Sequence, residues 1–218
     1  MRYRIQNVAE LRRRFRALVR ETDTPILICP NHLTMADSAI VTWALGGFWW
    51  LLMNYRWVPW NVPERNNFAG VGFDRAAAWM VKCIPIARGG PREHLLHALK
   101  KIEHVVSRGE AAIIFPEGTR SRTGRIQLES IAHGPGRIVN AVPDCRVLCV
   151  YLRGDRQDTW STIPARGDSF YVDFEMFRPD SRHTGLRRSQ DFARQVVDRL
   201  VRLEEKYFAG RLRPPRSP

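Results

Sequence analysis

The sequence predicts an α/β protein, a single layered domain with a mixed β-sheet flanked by helices. Three observations carry this. Segments of helical period alternate along the chain with short apolar runs of strand length. The 218 residues suit one domain, with no internal repeat or low-complexity linker to divide them. Hydrophobic residues make up 44% of the chain, an ordinary core content and too much for a disordered protein. Residues 1–218 are therefore read as one domain, opened by a basic amphipathic helix within 1–22 and closed by a loose basic tail at 209–218.

The elements follow in order. In "NVAELRRRFRALVR" (7–20), Val8, Leu11, Phe15 and Leu18 recur at steps of three and four, one apolar stripe on a helix. "PILIC" (25–29) is a short buried strand, and a helix starts near Asp37, whose carboxylate suits a helix N-terminus. "SAIVTWALGGFWWLLMNY" (38–55) then runs without a charge. Gly46-Gly47 interrupts it, so it is expected as a shallow membrane-contacting element or the wall of a pocket for an apolar tail. Five tryptophans between 43 and 60 make that contact: Trp43, Trp49, Trp50, Trp57 and Trp60. Plain core packing is the alternative. "REHLLHALKKIEHVVS" (92–107) is a helix on Leu95, Leu99, Ile102 and Val106, ended by Arg108-Gly109, and "AAIIF" (111–115) is a buried strand. "RVLCVYL" (146–152) and the alternating "SFYVDFEMF" (169–177) are further strands, and "SQDFARQVVDRLVRLEEKYF" is the C-terminal helix.

The net charge of +13 implies an anionic partner: nucleic acid, an anionic membrane surface, or a phosphorylated substrate. All but four of the 35 basic residues are arginine, which suits bidentate phosphate contacts. The first 20 residues carry seven arginines against Glu10 alone, so the first helix either lies on anionic headgroups or covers the core with a basic outer face. Basic residues are spread along the chain and no nucleic-acid module is recognised, so no specific nucleic acid is expected. The four cysteines lack C-x-x-C spacing and are read as reduced thiols in a cytoplasmic compartment, with no metal site. The arginine-rich N-terminus has no apolar run behind it, so no signal peptide is expected.

Chemistry concentrates in three stretches. In "NHLTMAD", His32 and Asp37 are five residues apart. Histidine accepts protons near neutrality, and a carboxylate on its other ring nitrogen fixes the tautomer. The offset is too long for one helix face, but it works if His32 lies in the turn before the helix and Asp37 in its first turn. "IPIARGG" (84–90) ends an apolar run in an arginine and two glycines. "FPEGTRSRTG" (115–124) follows a strand with glycine, hydroxyl and arginine residues, a composition that lets backbone and guanidinium groups approach an anion.

In this order and spacing, the three stretches resemble the glycerophosphate and lysophospholipid acyltransferases of the PlsC type, whose four blocks span residues 31 to about 150 here. The resemblance implies transfer of a fatty acyl group from a thioester, on CoA or acyl carrier protein, to a hydroxyl of a glycerol-phosphate-like acceptor. It implies that His32 is the general base and that Asp37 orients it. It gives acceptor and phosphate binding to Arg88, Glu117, Gly118, Thr119 and Arg120. No cofactor is implied beyond the acyl carrier, and the expected location is the cytoplasmic face of the membrane, peripherally bound. Two positions depart from the family's pattern: Ala87 stands where an acidic residue is usual, and Cys149 where a proline is. Three alternatives stay open: a soluble acyltransferase acting on a small metabolite, a basic nucleic-acid- or membrane-binding protein without catalysis, and a binding protein that kept the fold and lost the chemistry.

Overall fold

A computed structural model of the protein describes residues 3–64, 79–86, 90–128 and 131–212. The elements run β1 (Arg4–Ile5), α1 (Val8–Arg20), β2 (Ile26–Pro30), α2 (Asp37–Gly46), α3 (Phe48–Met53), a 3-10 turn at Tyr55–Trp57 and β3 (Trp60–Asn61). They continue with α4 (Arg92–Ser107), β4 (Ala112–Ile113), α5 (Gly134–Ala141), β5 (Arg146–Gly154), β6 (Ser169–Phe177) and α6 (Gly185–Leu212). The six strands form one mixed sheet in the order β1-β6-β5-β2-β4-β3. β5 and β6 are antiparallel, and every other neighbouring pair is parallel. The chain is thus α/β, with its sheet flanked by helices.

Apolar residues on both faces of β2 and β5 explain why these strands read as unbroken hydrophobic runs. Leu27 and Cys29 of β2 join Val147, Cys149 and Tyr151 of β5 beneath α4, α5 and α6. Ile26 and Ile28 alternate with them and join Leu148, Val150 and Leu152 beneath α1 and α2. On α1 the buried stripe is Leu11, Phe15 and Val19, with Leu18 half-buried beside it.

The glycine pair interrupts the uncharged run where the sequence places the break, and two other elements differ from the sequence reading for physical reasons. The 18-residue uncharged run breaks at Gly47, which takes φ +73° and turns α2 into the short α3. A Cβ at Gly47 would stand 2.8 Å from the Arg12 guanidinium carbon, so the joint is closely packed as well as sharply turned. Among the described residues no helix is long and apolar enough to cross a membrane. α5 was not expected, because "GPGRIVNA" contains two glycines and a proline. Packing overrides that propensity: a Cβ at Gly136 would fall 1.9 Å from the Ser189 carbonyl oxygen, so only glycine allows α5 this close to α6. α6 starts before residue 189 and extends through 212, so residues 209–212 are helical rather than a loose tail.

The parallel course of β2, β4 and β5 brings their carboxyl ends to one edge of the sheet. The loops that leave those ends begin at residues 31, 114 and 155, and in open α/β sheets such an edge is where ligands bind.

Candidate active site

β2 ends at Pro30, and Asn31 fixes the turn that follows. Its side-chain amide donates to the Leu152 carbonyl 3.1 Å away, and its Oδ1 accepts the Leu152 N–H at 2.8 Å. This buried two-way contact ties the turn to β5 and delivers His32 to the sheet edge.

The His32 Nδ1 lies 3.1 Å from Asp37 Oδ2. A carboxylate only accepts, so Nδ1 carries the proton, which leaves Nε2 with its lone pair for a substrate hydroxyl. The same Asp37 oxygen accepts the backbone N–H groups of Leu33 at 2.6 Å and Thr34 at 2.7 Å, and Oδ1 accepts the Thr34 hydroxyl. Asp37 therefore does not cap α2 with its side chain. It turns back into the preceding loop and folds that loop around itself, which is how a five-residue offset becomes a contact. Asp37 is fully buried and the His32 ring nearly so.

The loop after β4 grips the His32 backbone from the other side. Glu117 Oε1 accepts the His32 N–H at 2.9 Å, and the Ser121 N–H donates to the His32 carbonyl at 3.0 Å. Burial pushes the Glu117 carboxyl up to about 8, against the His32 N–H, which favours the charged form; Glu204 and Asp37 add to the rise. Glu117 thus keeps its proton at neutral pH. Its observed contact is with the backbone of the histidine, a positioning contact. The Phe115 ring stacks on the imidazole with centroids 3.9 Å apart. Gly118 follows at φ +67°, and Thr119 is exposed on the same loop.

Arg120 is half-buried, with its guanidinium carbon 4.9 Å from the Trp160 ring centroid. Its Nη1 is buried and bonds to no described protein group, a donor arrangement that suits an anion. Arg88, Ala87 and the neighbouring Gly89 lie outside the described residues.

Sequence reasoning missed the third loop. After β5, the Ser161 N–H donates to the Leu33 carbonyl, and the Thr162 carbonyl accepts the Met35 N–H, so this loop covers the His32 turn. The buried Arg153 joins it to the Glu117 loop by donating to the carbonyls of Gly124 and Asp158. Nothing in its residue types marks the third loop as part of a site; only the sheet order brings it there.

Phe115 and Gly118 also line an apolar cavity of about 840 Å³ between α4, α5 and the start of α6. Leu95, Leu99, Ile114 and Leu186 form much of its wall, and Glu103 and Arg137, an ion pair at 3.4 Å, stand at its polar side. None of the five tryptophans expected at an apolar tail lines it. Trp57 and Trp60 are core residues, 6% and 3% exposed, because the 3-10 turn and β3 carry the chain back to the sheet, where the Trp60 indole donates to Glu110. Trp50 is half-buried against Phe15, and Trp43 and Trp49 are exposed.

Among the described residues no group of three His, Cys, Asp or Glu side chains is placed to hold a metal ion. A family model described as Acyltransferase matches residues 4–172. No curated protein matches the chain in sequence.

Proposed function

The chain belongs to the acyltransferase family, and we propose that it moves a fatty acyl group from an acyl thioester, on CoA or acyl carrier protein, to a hydroxyl of a glycerophosphate- or lysophospholipid-like acceptor. The observation that carries this reading is the His32–Asp37 pair, separated by the single ring of Phe115 from an apolar cavity large enough for an alkyl chain. Nε2 of His32 takes the proton of the acceptor hydroxyl as its oxygen attacks the thioester carbonyl. The C–O bond forms, the C–S bond breaks, and the departing thiolate takes the proton back from His32. Asp37 stabilises the imidazolium between these steps. The three buried cysteines do not serve as nucleophiles. Burial pushes the Cys29 and Cys149 thiols well up and that of Cys145 to about 12, so no acyl-enzyme forms on them.

Arg120, with its unpartnered Nη1, takes the phosphate of the acceptor, and the resemblance gives Arg88 the same role. The acyl chain lies in the cavity beside Phe115. The four free thiols fit a reducing cytoplasmic compartment, and the reaction belongs to phospholipid synthesis.

Mass spectrometry of products tests the reaction directly. Acyl-CoA and acyl carrier protein are each offered with glycerol 3-phosphate and a panel of lysophospholipids. The expected product is a new ester on a phosphate-bearing acceptor. Transfer confined to a water-soluble acceptor without phosphate would replace this acceptor class with a small metabolite, and no ester with any pair would overturn the reading.

A further inference from the structure

The surface around α3 is unusual for a protein in water. Phe48 is 65% exposed, Trp49 76% and Met53 83%, with Leu52 beside them on the same short helix. Trp79 and Met80 continue the patch. The Tyr55 hydroxyl, in the turn that follows α3, donates to the Met80 carbonyl at 2.8 Å, and the Trp79 ring packs 4.3 Å from that of the buried Trp60. Large apolar side chains exposed in a contiguous group mark an interaction surface.

Charge at the edge of this patch identifies the partner. Residues 38–63 contain one charged residue, Arg56, and no acid. α1 borders the patch, since its Phe15 packs on Trp50 and Trp57. Arg12, Arg16 and Arg20 recur at steps of four along α1 and so share one side of it. Arg12 lies over the Trp43 ring and Arg16 over the Trp50 ring. An apolar cap rich in tryptophan, with a rim of arginine and no carboxylate in its own segment, matches the acyl and anionic headgroup layers of a bilayer interface.

We propose that α3 and the Trp79–Met80 turn form a lipid-docking surface, with Phe48, Trp49, Leu52 and Met53 entering the headgroup boundary of an anionic membrane and the α1 arginine row resting on its phosphates. This assigns the membrane contact differently from the arginine-rich N-terminus as a whole. Arg14 is engaged by Asp173, while Arg12 and Arg16 donate to carbonyls at the end of α2. The α1 arginines therefore brace the docking element as much as they attract lipid, and the apolar side chains carry the part of binding that salt does not screen. Docking is independent of which acceptor the site takes. It has a consequence for the site nonetheless: α2 runs from Asp37 to the patch, so the membrane boundary lies about 14 Å along its axis from the His32 pair.

Flotation with vesicles tests the surface, using phosphatidylcholine alone or mixed with phosphatidylglycerol. The intact protein floats with the mixed vesicles and is only partly released by high salt. The double variant Trp49→Glu with Met53→Glu lowers the bound-to-free ratio by roughly tenfold or more, since each change withdraws an apolar side chain from the interface. Both positions are on the surface, so circular dichroism of the variant matches that of the parent. Arg20→Glu weakens binding at low salt only. A second measurement needs no charged variant: brominated acyl chains quench the parent's tryptophan fluorescence, and Trp49→Phe removes much of that quenching. Parent protein that stays out of the vesicle fraction, a double variant that floats like the parent, or an absence of quenching would each overturn the proposal. A lipid-free dimer that the double variant dissociates, with no vesicle binding by the parent, would assign the patch to a second copy of this chain.

Discussion

Both carboxylate oxygens of Asp37 and the Nδ1 of His32 have definite partners, so the consequences of altering the pair are specific. His32→Ala should lower transfer by about 10²–10⁴ with the fold retained, because the proton acceptor is gone. Asp37→Asn should cost less, since an amide oxygen still accepts Nδ1–H but no longer stabilises the imidazolium. Asp37→Ala should also lower the melting temperature, because it strands the buried N–H groups of Leu33 and Thr34. Steady-state rates alongside thermal melts separate these outcomes. Glu117 makes a different prediction. Its carboxyl titrates near 8 in the fold and near the ordinary carboxylate value when unfolded, so the native state holds a proton that the unfolded chain has lost. Its contribution to stability is fully present below the ordinary carboxylate range and falls away as pH rises to about 8. Glu117→Gln keeps an acceptor for the His32 N–H and should flatten that fall while preserving activity; Glu117→Ala should lose activity at every pH. Melting curves taken from pH 5 to 9 distinguish a neutral positioning group from a charged acceptor ligand. For Arg120, a charged hydrogen bond of roughly 1.5–3 kcal/mol makes Arg120→Ala cost about 10- to 100-fold in kcat/KM with a phosphorylated acceptor. The loss should be far smaller with its dephosphorylated analogue, and equal losses on both would reduce the arginine to a brace against Trp160.

At the scale of elements, α4 serves two purposes with one helix. Leu99, Ile102 and Val106 are buried in the core, while Leu95, on the same stripe but in the first turn of the helix, is 40% exposed and lines the cavity. Residues of that kind can be enlarged at little cost to packing. Leu95→Trp should therefore fill part of the cavity and shift donor preference toward shorter acyl chains, with the melting temperature little changed. A donor series of increasing chain length reads this directly, and an unchanged preference would remove the cavity from the acyl path. α5 shows the opposite economy. Its Gly136 lies so close to the Ser189 backbone that any side chain forces the helices apart, so its weak helical sequence is retained by packing.

On the scale of the whole molecule, the family match ends at residue 172, inside β6, yet the hydrophobic layer does not. Phe192, Val196, Leu200 and Leu203 of α6 cover one face of the sheet and are almost completely buried. A chain cut before Gly185 should consequently fail to fold, and Phe192→Ala in the full chain should cost about 3–5 kcal/mol, measured by denaturant unfolding. A truncated protein with a cooperative transition like that of the full chain would show α6 to be an accessory layer. The basic character of the chain also looks different at this scale. Several arginines are structural: Arg153 bridges two loops at the sheet edge, Arg125 pairs with the buried Glu204, and Arg14 with Asp173.

Period and residue type were enough to identify α1, α4, β2, β5, β6 and most of α6, because each buries a continuous stripe or run whose spacing is written locally. The same local signal placed His32 before a helix and Asp37 at its start. It did not reach the two-residue strands β1 and β3, which are too short to show a period, nor α5, whose glycines oppose the helix they form. The tryptophans show the limit most clearly: five in one segment read alike, but Trp49 faces solvent and Trp60 is buried, because the end of α3, the 3-10 turn at Tyr55–Trp57 and a return to the sheet edge lie between them. The meeting of Glu117, Ser121 and the 155–165 loop around His32 depends on strand order, which no local pattern encodes. The sequence alone determined which chemical groups were available and which segments would be buried. Tertiary structure decided which of them meet, since contacts between residues more than 80 positions apart follow from how parallel strands align their ends.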